Sequence, residues 1–152
     1  MKSEIGFNLD TRLQHDSTLV ADIGFTQLRL SNDARYPWLI LVPKLNNLQE
    51  FTDLNFDQQV QILKVSNMVC EVMEDVFKPH KMNIAAIGNI VKQLHIHHVA
   101  RFEYDDAWPL PVWGHGEASV YTATALQDRI IKIKAAIEKA NQGDMHVNYY
   151  HQ

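Results

Sequence analysis

Residues 88–101 read Gly-Asn-Ile-Val-Lys-Gln-Leu-His-Ile-His-His-Val-Ala-Arg. The run is apolar and β-branched around two histidines, His95 and His97, spaced two apart. Alternate residues of a strand point to one face. The stretch therefore predicts a strand over 91–99, with Gln93, His95 and His97 on one side and Leu94, Ile96 and His98 on the other. Two imidazoles held on a stiff strand suit few chemistries. They bind a metal, or they grip a phosphate while one ring attacks it.

Outward from this stretch, Gly88-Asn89 predicts a turn from a preceding strand over 82–87. Further back, 57–78 is the clearest helix. Ile62, Val65, Val69, Val72, Met73 and Val76 recur on one side, Asp57 offers an N-cap and Pro79 a stop. Trp38-Leu39-Ile40-Leu41-Val42 is a continuous apolar run ended by Pro43, as in a central strand covered on both faces. Residues 32–37 form a turn, and strands are expected over 18–23 and 25–30, with Gly24 bending the chain between them. A short first helix over 9–16 pairs Leu9 with Leu13. Beyond the histidines, 104–116 is an ordered loop rich in Pro, Trp and Gly. Leu126, Ile130, Ile133 and Ile137 stripe a closing helix over 123–141, and Gly143 stands where a helix stop belongs. Strands joined by short turns, with helices between, predict an α+β fold. Repeats and linkers are lacking, so 1–152 reads as a single domain, its motif core at about 20–101 and a C-terminal loop and helix over 102–152.

The 152 residues are enough for one hydrophobic core. The formal net charge of −4 argues against a nucleic-acid surface, which needs a basic face, but leaves room for a small nucleotide ligand. The lone Cys70 excludes an intrachain disulfide. Met1–Glu4 carry no leader pattern, and no apolar run approaches the ~20 residues a membrane span needs. These features place the protein in the cytoplasm.

The string Gln93-Leu94-His95-Ile96-His97-His98-Val99-Ala100-Arg101 resembles the histidine-triad (HIT) motif, in which His alternates with apolar residues. Gly88-Asn89-Ile90-Val91-Lys92 resembles the lead-in of many members. The likeness points to the diadenosine polyphosphate hydrolase-like branch. It implies a five-stranded antiparallel sheet with a long helix packed on one face, a homodimer, and cleavage at the α-phosphate of a nucleotide through a covalent nucleotidyl-histidine. In this register Gln93 replaces the first His, His95 is the nucleophile and His97 the third His. A register shifted by two puts Val99 at the third His and is the poorer match.

The resemblance also implies substrate-binding positions. Asn89 sits where the family often has a phosphate-touching Gln, Asn83 resembles an upstream amide on the phosphate or leaving group, and Asn32 resembles an Asn at the ribose–phosphate region. Arg101 either steers a polyphosphate or pairs with Glu103, Asp105 or Asp106. An amide at Gln93 is expected to orient the neighbouring imidazole but cannot carry its proton. Trp38 stands where many members place a supporting His.

Other residues read more plainly. His98 faces away from the triad as a packing or hydrogen-bonding residue. His115 reads as a loop residue, and His15, His80, His146 and His151 as surface residues. Trp108–Trp113 either walls a base pocket, or reaches across a dimer, or forms a rigid cap on the core. The leading function is hydrolysis of a dinucleoside polyphosphate or a nucleoside phosphoramidate, without a protein-bound metal, though a divalent cation can accompany the substrate. The alternatives are a non-catalytic nucleotide-binding module and a His-x-His metal site, the latter poorly suited to a chain with two long helices.

Overall fold

The computed structural model describes residues 6–150. The sequence readings of Met1–Glu4 and His151 lie outside the described residues. The chain runs α1 (Thr11–Asp16), β1 (Ser17–Ile23), β2 (Thr26–Ser31), β3 (Trp38–Pro43), α2 (Phe56–Phe77), β4 (Lys81–Ala85), β5 (Ile96–Arg101), α3 (Ala123–Asn141) and β6 (Val147–Tyr149). The strands form one antiparallel sheet in the order β4-β5-β3-β2-β1-β6. This is the expected α+β layout with one strand more. The sixth strand pairs Val147 with Ile23 and Tyr149 with Ala21 at the edge of β1. Three residues are too few to display an alternating pattern, so this strand leaves no signature in the residue order.

Local chemistry explains most element ends. Asn55 caps α2: its side chain accepts from the Gln58 N–H at 2.9 Å, and the Gln58 side chain accepts from the Asn55 N–H at 2.9 Å. This reciprocal cap starts the helix ahead of the expected Asp57. The far end stops at Lys78, which takes a left-handed conformation (φ +53°) before Pro79. Asp10 caps α1 by accepting from the Arg12 N–H at 2.8 Å. The third helix occupies the expected span.

The two long helices cover one face of the sheet. Ile62, Val65, Val69, Val72 and Met73 of α2, with Ile130, Ile133 and Ile137 of α3, pack on Leu28, Leu30, Leu39, Leu41, Ile96 and Ala100. Each such side chain, fully buried, stabilises the fold by ~1.5–3 kcal/mol before ordering costs. The opposite face is covered in two pieces. Leu13 of α1 packs on Ile40 and Val42. Ala107 and Val112, from the loop after β5, pack on Tyr36 and Val99. Trp38 touches both pieces. Among the described residues no helix is long and apolar enough to cross a membrane.

The histidine strand is shorter and later than the sequence predicts. β4 ends at Ala85, β5 begins at Ile96, and residues 86–95 between them form no regular strand. The Leu94 N–H is drawn instead to the Leu48 carbonyl at 2.8 Å, in the connection between β3 and α2. A tertiary hydrogen bond has taken the backbone that strand pairing would use.

His98 points into the helix-covered face, as the alternation requires. It is fully buried. Ser66 of α2 donates its hydroxyl to Nε2 at 2.7 Å, and Nδ1 contacts the Ile96 carbonyl at 3.2 Å. Both contacts suit the neutral ring, and burial pushes its pKa down to about 4. The unfolded chain therefore takes up this proton first. The stability it represents is complete above the unfolded value near 6.5 and drains away as pH falls toward 4, by an amount on the order of 3 kcal/mol. Urea unfolding at pH 7 and pH 4.5 should show a steep loss in the wild type and a shallower one in His98→Asn. His97 adds a parallel slope, so the variant retains part of the dependence.

Candidate functional site

The site lies where the two coverings of the second sheet face meet. On β5, His97 is paired with Ile40 of β3 and Ala85 of β4. Its ring packs edge-on against Trp38 (centroids 5.5 Å), Trp113 (5.2 Å) and His95 (4.8 Å). Trp38 and Trp113 also meet edge-on, at 5.8 Å. The Trp38 Nε1–H donates to His97 Nδ1 at 2.9 Å. An indole nitrogen can only donate, so Nδ1 is the acceptor and the ring proton sits on Nε2. Burial, with the nearby His95 and His98 rings adding to it, pushes the His97 pKa down to about 3. The ring is neutral at physiological pH.

His95 stands one residue before β5. Its Nδ1 lies 2.7 Å from the Gln93 carbonyl. A carbonyl can only accept, so Nδ1 carries a proton, and in the neutral ring the lone pair lies on Nε2. His95 lines a cavity of about 400 Å³, within the ~300–1,000 Å³ typical of small-molecule sites. Residues 49–52, 86–88 and 92–95 form its walls. Phe51 and Ile87 supply apolar surface, each 40% exposed. Gln49, Thr52 and Lys92 supply donors. The two rings are thus wired in opposite senses: one offers a lone pair, the other an N–H.

Gln93 differs from its expected role. Its side chain does not orient an imidazole. Oε1 accepts from the Asp10 N–H at 2.9 Å, and Nε2 donates to the Asn8 carbonyl at 3.0 Å. The irregular backbone at 86–95 turns this amide toward the N-terminal segment, where Phe7 and Leu9 pack beside Val91. The orienting group for His95 is the Gln93 backbone carbonyl, which any residue at this position would supply.

The other expected residues are more scattered. Asn89 is exposed in the turn after β4. Asn83 lies on β4, paired with Val99 one step along the face from His97, and its Oδ1 accepts from Arg101 at 2.8 Å. Asn32 takes part in structural bonds: Oδ1 accepts from Thr18 at 2.8 Å and Nδ2 donates to the His15 carbonyl at 3.0 Å. Arg101 is 1% exposed, bonded to Asp105 through Nε at 2.8 Å and to the Leu110 carbonyl at 2.7 Å. It sits four residues, ~13 Å, along the strand from His97. Of its two expected roles, the structure holds the ion pair. Asp105 in turn accepts from the backbone N–H groups of Phe102, Ala107 and Trp108, so the pair anchors the loop that carries Trp113. His15, His80 and His146 are exposed, as expected.

One site feature escaped the sequence reading: the cavity wall at 49–52, which comes from the connection before α2 and is brought in by tertiary packing. Trp113, in the stretch expected either to wall a pocket, to reach across a dimer or to cap the core, lies sixteen residues after His97 and packs both on that ring and in the loop's own cluster. Among the described residues no group of three or more His, Cys, Asp or Glu side chains is arranged to hold a metal ion.

Arg101→Met removes one half of a buried pair and leaves Asp105 uncompensated, so urea denaturation should show a loss of about 3–5 kcal/mol. A loss below about 1 kcal/mol, within the range of surface changes, would instead mean that Arg101 does little to hold the loop.

Residues 12–104 match the family described as HIT domain. The fold is similar to that of a histidine triad (HIT) protein from Sinorhizobium meliloti 1021, with a TM-score of 0.85 and 38% identity over 88% of this chain and 98% of that one. A histidine triad protein from Bradyrhizobium japonicum gives a TM-score of 0.84 at 37% identity, covering 86% and 98%. One from Marinobacter aquaeolei VT8 gives 0.85 at 36%, covering 88% and 98%. No curated protein matches the chain.

Proposed function

Since the chain belongs to the HIT family, whose members bind nucleotides, we propose that it is a nucleotidyl hydrolase or transferase acting at the α-phosphate of a dinucleoside polyphosphate or nucleoside phosphoramidate, with His95 as nucleophile. The observation that carries this reading is the pair of opposed tautomers. His95 Nδ1–H is held by the Gln93 carbonyl at 2.7 Å, so that the neutral ring carries its lone pair on Nε2, at the wall of a ligand-sized cavity. His97, 4.8 Å away between ring centroids, brings an N–H donor for phosphate oxygens.

The reaction divides into two displacements. First the Nε2 lone pair forms a bond to the α-phosphorus, and the bond to the leaving group breaks with its electron pair on the departing atom. The phosphorylated ring is then cationic, and its Nδ1–H hydrogen bond to Gln93 stabilises that charge. Next water attacks phosphorus, the P–N electrons return to Nε2, and the water proton passes to solvent. The exposed Asn89 and the outer amide of Asn83 are the groups we assign to phosphate and leaving-group contacts. A divalent ion, where needed, arrives on the polyphosphate.

We also assign a homodimer to the single domain. β4 is an edge strand, Ile84 on it is 54% exposed, and Leu63 of α2 is 61% exposed. An unpaired edge beside apolar surface favours association with a second copy. The free Cys70 and the absence of a disulfide suit a reducing, cytoplasmic setting.

Incubation with a dinucleoside polyphosphate and acid quench, followed by peptide mass spectrometry, should place a nucleotidyl adduct on His95. His95→Ala should lower turnover by more than about 10³-fold with an unchanged circular dichroism spectrum. Tight mononucleotide binding with no adduct would instead indicate a non-catalytic binding module.

A further inference from the structure

Two displacements at phosphorus with different leaving groups make different demands for protons. A phosphate group leaves as an oxyanion that is stable near neutral pH, because its own second pKa is ~6. The P–O electrons can pass to that oxygen without a proton. An amine cannot leave as an anion. When a P–N bond breaks, the electron pair on nitrogen must be met by a proton from a nearby acid.

The ring packed against the nucleophile is His97, and to serve as that acid it would first have to be cationic. Protonation would place a hydrogen on Nδ1, 2.9 Å from the Trp38 nitrogen. Two N–H groups would then point at one another. A hydroxyl, a carboxamide or an imidazole in Trp38's place can turn and accept. An indole has no acceptor to offer. The indole is also held from behind by Trp113, at 5.8 Å between centroids, so it cannot swing aside without disturbing that packing. Among the described residues, the surroundings of His97 offer no compensating charge. β3 presents Ile40 and Trp38, β4 presents Ala85, and the loop after β5 presents Trp113, none of which carries charge near neutral pH. The titratable neighbours among the described residues are His95 before it and His98 behind the strand, and both disfavour a positive charge on His97. Gln93 neither titrates nor turns toward the rings. Glu50 and Lys92 line the cavity as exposed side chains.

We propose that Trp38 is a positioning residue that fixes His97 as a neutral Nε2–H donor, and that this fixed donor restricts the enzyme to phosphate leaving groups, so that its substrates are phosphoric anhydrides and not phosphoramidates. The inference rests on the nucleotidyl-histidine reading above and selects between the two substrate classes that it leaves open.

The test compares P1,P4-di(adenosine-5′) tetraphosphate with adenosine 5′-phosphoramidate. For the wild type, kcat/KM for the anhydride should exceed that for the phosphoramidate by at least about 100-fold, the size of one general-acid contribution. Trp38→His supplies a ring that can accept as well as donate, and it should raise phosphoramidate turnover relative to anhydride by at least ~10-fold below pH 7. In 15N NMR of the wild type, His97 should show an unprotonated Nδ1 and protonated Nε2 from pH 8 to pH 5. In Trp38→Phe that fixed assignment should be lost. Equal turnover of both substrates by the wild type, or a His97 ring that titrates near 6.5, overturns the inference even where the His95 adduct forms. Failure of both substrates to label His95 overturns the hydrolase reading itself. The wild-type ratio and the wild-type NMR decide the matter even if the variants fail to fold.

Discussion

The pairing of β3 with β5 is the constraint on which the site depends. It sets Trp38 opposite Val99 and Ile40 opposite His97. Because side chains alternate along each strand, this single register sends Leu39, Leu41, Ile96 and His98 toward the helices and leaves Trp38, Ile40 and His97 on the other face. A slip of one residue would bury His97 under α2 and present His98 to the ligand side. The register is held by what lies beneath it. Leu39 and Leu41 are fully buried in the main core, and His98 is pinned to α2 through Ser66. The buried contact between His98 and Ser66 thus fixes where the His97 ring stands.

The second face is assembled less regularly. No single element covers it. The N-terminal segment closes one side, held partly by Gln93, and the loop after β5 closes the other, held by the Arg101–Asp105 pair. The imidazoles occupy the gap between. This arrangement explains how the amide of Gln93 is compatible with the site. The residue there is needed for its backbone carbonyl, and its side chain is free to take a structural task. It also explains why Arg101, so close in sequence to the histidines, stands apart from the rings of His95 and His97: strand geometry carries it away along the sheet.

The opposite wiring of the two rings follows from two neighbours with single capabilities, a carbonyl that only accepts and an indole that only donates. Neither ring needs a shifted proton to be wired this way. The low pKa of His97 is a consequence of its burial among aromatic groups, and it agrees with the wiring.

Much of this was legible in the order of residues. The spacing of His95, His97 and His98 determined which rings meet and which one enters the core. Apolar periodicity marked both long helices, and the run before Pro43 marked the central strand. These are short-range consequences of backbone geometry, so the chain carries them locally. Tertiary structure decided the rest. The backbone at 86–95 abandoned its β pattern because Leu48 offered Leu94 a distant carbonyl. The Gln93 side chain turned to the N-terminus, the indole of Trp38 found His97 Nδ1, and Trp113 and residues 49–52 arrived to wall the rings. Each of those partners lies tens of residues away or on another layer, and a hydrogen bond or ring contact between them exists only once the sheet and its coverings are in place.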